Sequence, residues 1–342
     1  MILQDIWFFL WGLLWAVYFI TDGFDLGLGS LMPFVAKTEN EKRIIYNSMG
    51  PLWDGNEVWL LTAGGVTFAA FPTVYATMFS SLYTALMLIL FALIIRGVSF
   101  EFRGKIQGVW WRKLWDGCLF VGSLLPAILF GAAFANIFRG IPIDAQGIYK
   151  GTFFTLLNPY GLLGGVLFLF LFLVHGSLWL AIKSNGELHQ RAVTLVKKLW
   201  VILLIVAVIF LLASKFATTL YDNYFKNPAL FLVILATVAA LFLVRVFIGK
   251  GAFWKAWFAS AATIFGATFF GIIGLYPRMF PSSIDPKYTL TAHNASSTPL
   301  TLKIMLTVVI IFIPIVIAYQ AWAYKLYSGK IKEEDLAYEE AY

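Results

Sequence analysis

Acidic and basic side chains stand within stretches of this sequence that are otherwise strongly apolar. Thr21-Asp-Gly-Phe-Asp-Leu-Gly-Leu-Gly29 places Asp22 and Asp25 three residues apart, and Trp53-Asp-Gly-Asn-Glu-Val-Trp59 repeats that spacing with Asp54 and Glu57. Residues three apart on a helix lie on a similar face, so each pair presents two carboxyl groups in one direction. Arg96 closes a third apolar run, followed by Glu101 and Arg103, and Asp116 lies about one turn inside a fourth. A charge at the centre of a membrane helix costs roughly 2.5–3.5 kcal/mol or more, which makes each of these groups a functional candidate. Carboxyl groups, the Asn56 amide and a cation strung along helices suit a proton path, where each station takes up and releases a proton with water between. On this reading Asp54, Asp25, Glu57 and Asp116 are pathway candidates and Arg96 is a structural counter-ion. A simpler alternative has Asp116 and Arg96 neutralising each other and only fixing the bundle, as desolvated pairs do. Trp53 and Trp59 read as packing or interfacial anchors rather than redox relays.

The side chains that are scarce are equally informative. A membrane haem takes axial His, Met or Cys ligands, and the chain has three histidines and one cysteine. His189 and His293 fall in loops, His175 stands alone in an apolar run, and Met279 is a poor substitute ligand. His175 therefore reads as a hydrogen-bonded packing residue, and the chain is expected to hold no haem or other metal by its own ligands. Cys118 alone excludes an intrachain disulfide and a multi-cysteine cluster. No phosphate-binding loop or nucleophile elbow is present.

Positioning such groups falls to membrane helices. Of the 342 residues, 61% are hydrophobic, 18% aromatic and 13% charged, with a mean hydropathy of +0.82, more apolar surface than a soluble core can hide. A bilayer core about 30 Å thick needs roughly 20 apolar residues per helix. Nine segments qualify: 6–35, 52–71, 74–100, 111–137, 159–182, 195–217, 227–249, 253–279 and 300–326. The second is the least regular, interrupted by Gly64, Gly65 and Pro72. The first is too long for the apolar core of a cleaved signal peptide. Open sheet is untenable in lipid and barrel strands would alternate, so the expected fold is an all-α integral membrane protein. Of the 25 Lys and Arg, 18 fall in the loops after segments one, three, five and seven or in the C-terminus. The positive-inside rule then puts the N-terminus outside and the C-terminus in the cytoplasm of a bacterial inner membrane. The net charge of +7 is thereby topological, and no nucleic-acid partner is implied.

The chain also repeats itself after four helices. Leu93-Ile-Ile-Arg96 leading to Trp111-Arg-Lys-Leu-Trp115 is matched by Leu243-Val-Arg245 leading to Trp254-Lys-Ala-Trp257, and Asp22-Gly23 is echoed by His175-Gly176. An even number of helices makes the copies parallel. The expectation is two parallel-repeat four-helix bundles, 1–140 carrying the pathway residues and 141–280, followed by 281–342 with an outer loop, a ninth helix and a cytoplasmic tail. Tryptophan and basic residues flank many inner-membrane helices, so coincidence is the competing explanation. The tail from Lys332 to Glu340 is expected to be solvated.

At the Thr21–Gly27 and Trp53–Trp59 motifs, at Gly64-Gly65 with Phe68-Ala-Ala-Phe-Pro72, at Arg96-Gly-Val-Ser-Phe-Glu-Phe-Arg103 and at Trp111-Arg-Lys-Leu-Trp-Asp116, the chain resembles subunit II of bacterial cytochrome bd-type quinol oxidases. Phe280-Pro-Ser-Ser and Leu290-Thr-Ala-His-Asn-Ala-Ser-Ser297 extend the resemblance to nearly the whole length. It implies a partner subunit I carrying two b-type haems, one d-type haem and the quinol site, in a complex that reduces dioxygen to water without pumping. It implies a proton route lined by Trp53 and Asp54, and roles in haem assembly or proton delivery for Asp25, Arg96 and Asp116. Glu57 stands where some relatives have Gln. A quinone in this subunit and a small single-helix companion are further candidates. The rival class is a secondary transporter, which also uses parallel repeats and glycine-broken helices. The gathering of charge toward one face weighs against it.

Overall fold

The computed structural model describes residues 2–337. In chain order the helices are α1 (Ile2–Val35), α2 (Glu39–Met49), α3 (Trp53–Ala70), α4 (Pro72–Ser81), α5 (Tyr83–Phe102), α6 (Val109–Arg139), α7 (Phe153–Leu156), α8 (Pro159–Lys183), α9 (Gly186–Ala217), α10 (Tyr221–Lys226), α11 (Phe231–Gly249), α12 (Phe253–Leu275) and α13 (Pro299–Leu326). A two-stranded antiparallel ribbon, β1 (Arg278–Phe280) with β2 (Leu290–Thr291), lies in the loop before α13 and is a small exception to an otherwise helical chain. Among the described residues eight helices are long and apolar enough to cross a membrane: α1, α5, α6, α8, α9, α11 with the short turn before it, α12 and α13. The segment outside that set is α3. Its 18 residues would rise about 27 Å, but Asp54, Asn56 and Glu57 dilute its apolar character.

Several boundaries differ from the sequence reading, each for a local reason. Pro72 starts a new helix, and a break at Leu82 splits segment 74–100 into α4 and α5. Segment 253–279 stops being helical at Leu275, because Pro277 lacks an N–H and disfavours helix in the residue before it. Segment 195–217 gains about two and a half turns at its start, since the helix begins at Gly186 in polar sequence with Glu187 in its first turn.

The centre of the molecule is α1, buried along most of its length and packed on α3, α6, α8 and α12. Its closest approach is to α8. A methyl group at Gly27 would overlap the Phe172 carbonyl, and one at Gly176 would meet the backbone of α1 at Leu28, 2.5 Å away. Small residues let helix backbones approach where lipid provides no hydrophobic drive for association. Because α8 also packs on α6, the apolar core is continuous between the first four long helices and those that follow.

Hydrogen bonds sort the helix ends into two faces. At the lysine- and arginine-rich face, Arg191 Nε donates to Val35 O at 3.0 Å and Trp179 Nε1 to Ser48 O at 3.0 Å. At the other face, Tyr276 Oη donates to Asp5 at 2.9 Å and Ser297 N to Ala70 O at 2.8 Å. Part of the tail departs from expectation. Ile331 N donates to Lys183 O at 2.9 Å, Arg43 Nη2 donates to Leu336 O at 2.6 Å, and the Leu336 side chain is buried. An apolar residue between acidic ones gives the tail an anchor. The expectation for residues 338–340 lies outside the described residues.

Candidate proton-handling site

Two polar clusters form where α1, α3, α5 and α6 converge toward the basic face. In the inner one, α1 sends Asp22 toward α5 and Asp25 toward α3. Arg96 Nη2 donates to Asp22 Oδ1 at 2.6 Å and also pairs with Glu57. Asn56 Nδ2 donates to Asp25 Oδ2 at 2.7 Å. Neighbouring residues on α3 point about 100° apart, which is how Asn56 serves Asp25 while Glu57 serves Arg96. Asp22, Asp25, Asn56 and Arg96 are each at most 1% exposed. Gly122 of α6 allows this depth, since a methyl group there would lie 2.8 Å from Arg96 Cβ.

The inner cluster has unused hydrogen-bonding capacity. Asp22 Oδ2, Asp25 Oδ1, Arg96 Nε and Nη1 and the Tyr18 hydroxyl are buried without a hydrogen-bond partner among the described residues. Tyr18 lies beside Asp22. Buried groups of this kind normally bind ordered water. Three carboxyl groups against one guanidinium, lined by open donors and acceptors, is chemistry for holding and passing protons.

The rim is formed by the start of α3. Trp53 stacks face to face on Phe100 with ring centroids 5.1 Å apart. Asp54 is exposed on the chain surface and accepts only from the adjacent Gly55 N, at 2.7 Å. Glu57, one turn on and 23% exposed, bridges the rim and Arg96. The structure thus brings Asp25, Glu57 and Arg96 together, with Asp54 and Trp53 at their edge.

Asp116 belongs to the second cluster. It accepts from Arg103 Nε at 2.6 Å and Lys42 Nζ at 2.7 Å, while Arg103 also pairs with Glu39 at 2.9 Å. The alternative of an Arg96–Asp116 pair is therefore corrected. Arg103 lies seven residues beyond Arg96, two turns nearer the end of α5, and meets the start of α6 first.

Five participants have no pathway or counter-ion role in the sequence reading. Asp22 was visible by spacing, but nothing marked it as the partner of Arg96. Lys42 enters the sequence reading only as a topology charge, and Arg103 as a charge after the third apolar run with no partner assigned. On α13, Tyr324 Oη donates to Asn56 Oδ1 at 2.7 Å, and Gln320 accepts from Trp59 Nε1 and donates to Gly55 O, both at 2.8 Å. The available signal was a Tyr and a Gln inside an apolar span, where polar residues join helices.

His175 is hydrogen-bonded at both ring nitrogens, to Ser260 Oγ at 3.1 Å and Ile20 O at 3.2 Å, and stacks on Trp257. Its nitrogens are thus engaged in joining α8 to α12 and α1, and they do not fit haem ligation. Among the described residues no three His, Cys, Asp or Glu side chains cluster as a metal site.

The family model for cytochrome bd terminal oxidase subunit II matches residues 3–327. This chain belongs to that family. It is 37% identical to a probable cytochrome oxidase subunit 2 of Haemophilus influenzae, over 96% of this chain and 95% of that protein. It is 35% identical to cytochrome bd-I ubiquinol oxidase subunit 2 of Escherichia coli, over 98% and 97% of the two chains. It is 36% identical to cytochrome bd ubiquinol oxidase subunit 2 of Bacillus subtilis, over 97% and 98%. A chain of the bd oxidase of Geobacillus thermodenitrificans shares the fold with a TM-score of 0.79 at 17% identity, covering 96% of this chain and 99% of that one. As a bd-oxidase subunit II, the chain is a subunit of a membrane oxidoreductase complex.

Proposed function

We propose that this subunit carries protons from the cytoplasm toward the oxygen-reducing haem of a bd-type quinol oxidase. The supporting observation is the graded series from exposed Asp54 through half-buried Glu57 to Arg96, Asp22 and Asp25, with five unpartnered polar atoms around its inner end. In a low-dielectric site the three carboxyl groups around Arg96, those of Asp22, Asp25 and Glu57, exceed what one guanidinium neutralises, so the cluster would retain at least one exchangeable proton. Asp54 would collect protons at the rim beside Trp53, Asp25 would be the buried station, and Arg96 would hold the others in place. Asp116, paired with two cations, would brace α2 against the α5–α6 hairpin.

The quinol-oxidising and oxygen-reducing chemistry would belong to a haem-bearing subunit I holding two b-type haems and one d-type haem. The α3 rim, with Asp54 exposed, would face it. A small single-helix subunit would be an accessory to this pair. The family's candidate quinone would find room in an apolar cavity of about 830 Å³ between α3, α4, α5 and α6, where Trp15, Tyr75 and Tyr83 are among the few polar groups. The topology that fits this reading has α3 as a ninth crossing, supported by Trp53 lying on Phe100 near one face and Ala70 bonded to Ser297 near the other. The excess of Lys and Arg at the first of these faces supports a cytoplasmic C-terminus. The matched helix order of α1, α3, α5, α6 and α8, α9, α11, α12 is consistent with the parallel repeat.

The test is Asp54→Asn in the purified two-subunit complex. Quinol oxidase turnover should fall at least tenfold, the lower range for loss of a positioned proton carrier being about 10²-fold, while the reduced haem spectrum stays intact. Unchanged turnover would remove the proton role.

A further inference from the structure

We infer that Tyr324, acting through Asn56, determines which oxygen of Asp25 carries the mobile proton. This rests on the reading of Asp25 as a proton station and adds a positioning residue to it. Asn56 lies fully buried between the two, its Nδ2 donating to Asp25 Oδ2 and its Oδ1 accepting from the Tyr324 hydroxyl, each at 2.7 Å. An amide presents its donor to one side and its acceptor to the other. The Tyr324 hydroxyl has no other acceptor among the described residues, so a reversed amide would leave its O–H buried and unpaired; the amide therefore keeps its N–H toward Asp25, and Oδ2 remains an acceptor whether the carboxyl is charged or neutral. The proton is then directed to Oδ1, the oxygen with no partner among the described residues. It arrives there from water and departs to water, while Asn56 and Tyr324 neither gain nor lose one.

The groups facing Asp25 are Asp22 from its own helix, Glu57 from α3, Arg96 from α5 and Tyr324 from α13. The buried titratable groups of α6 and α8, which also pack on α1, include Asp116, His175 and Lys183, and these are engaged elsewhere. Asp116 of α6 is held by Arg103 and Lys42. On α8, His175 bonds Ser260 and Ile20, and Lys183 bonds carbonyls after α13. Tyr324 is itself set by edge contacts with Phe24 and Trp179. Without its hydroxyl the amide is free to turn over. Oδ2 could then be protonated and donate to Asn56 Oδ1, where the proton is trapped away from water.

The experiment uses the purified two-subunit oxidase with Tyr324→Phe, which removes one oxygen and no hydrocarbon. Gln320→Ala is the control, because it loosens α13 without touching Asn56. Three readouts are needed: the haem spectrum, the pH profile of turnover, and the infrared C=O stretch of a protonated carboxyl, assigned by its loss in Asp25→Asn. Y324F should keep the haem spectrum and lower turnover about fivefold, the rate equivalent of one net hydrogen bond. It should also shift the carboxyl band, because the bond to Asn56 passes from the C=O oxygen to the acid O–H, and change the pH profile. Q320A should leave the band in place. A Y324F band at the parental frequency, or an equal shift in Q320A, would overturn the inference and leave Asp25 as a proton station. Loss of no carboxyl band in D25N would instead overturn the proton-station reading, and the inference with it.

Discussion

Arg96 shows how the site depends on single side chains. Its guanidinium is desolvated and held by a fully buried Asp22 and a partly exposed Glu57. Removing one partner of a buried pair leaves an uncompensated charge and costs about 3–5 kcal/mol. Asp22→Asn is therefore expected to lower the unfolding temperature of the purified complex clearly, and Glu57→Gln to lower it less, because water reaches Glu57. Thermal unfolding monitored by tryptophan fluorescence gives the comparison, and equal losses would mean that Asp22 does not hold Arg96. Glu41 makes a pH-dependent contribution outside the membrane-spanning helices. Burial pushes its carboxyl up, but hydrogen bonds from Lys37 N and Thr38 N and the pairing with Arg191 outweigh this and hold it below the ordinary value. A lowered folded-state value contributes stability above the unfolded carboxylate range, near pH 4.3, and loses it as pH falls through the folded value. Glu41→Gln keeps a capping-box oxygen but loses the charge facing Arg191, and is expected to cost about 0.5 kcal/mol at neutral pH. Unfolding temperatures measured down a pH series should converge in acid.

Among the elements, the α1–α8 crossing sets the tolerances. Gly27 has the Phe172 backbone against it, and backbone cannot rotate aside as a side-chain end can. Gly27→Ala is expected to cost at least the roughly 1–3 kcal/mol of overpacking, seen as loss of detergent-stable complex. Gly64→Ala meets nothing within 4 Å and should express normally, so the pair separates packing from helix propensity. The contrast has a consequence for function, since the same crossing fixes the depth at which α1 presents Asp22 and Asp25. Helix α2 is the element that apolar-segment counting could not register. Its capping box at Thr38 and Glu41 starts it, and Lys42 on its exposed side reaches across to Asp116.

At the scale of the whole molecule, α13 and α11 are the least buried of the long apolar helices. Of the 28 residues in α13 only Leu302 is buried, and of α11 only Leu241, Val244 and Ile248. Such faces need lipid or another helix, and the polar contacts of Gln320 and Tyr324 are what attach α13 to α3. Expressed with its haem-bearing partner, the chain should co-purify with haem. Expressed alone it should be recovered without haem, as the engaged nitrogens of His175 require. The absorption spectrum of the two preparations decides, and haem retained by the lone chain would contradict the assignment of all haem to the partner.

Membrane residence, a helical fold and the family were legible in the sequence, because bilayer thickness imposes long apolar segments and the motifs are specific in combination. The chain also announced its costly residues, since few charges interrupt those segments and each stands out. Which charge meets which was settled only in three dimensions. Asp116 and Arg96 were natural partners along the chain, yet depth along α5 gives Asp116 to Arg103 and Arg96 to Asp22. The last helix carried no acidic residue and its two lysines, Lys303 and Lys325, stand near its ends, so nothing within its span drew attention, and its Tyr324 and Gln320 entered the site through a crossing that spans more than 260 positions in sequence. Spacing along one helix fixes which side chains share a face. Only the packing of several helices, governed by where glycines let backbones touch, fixes which faces meet.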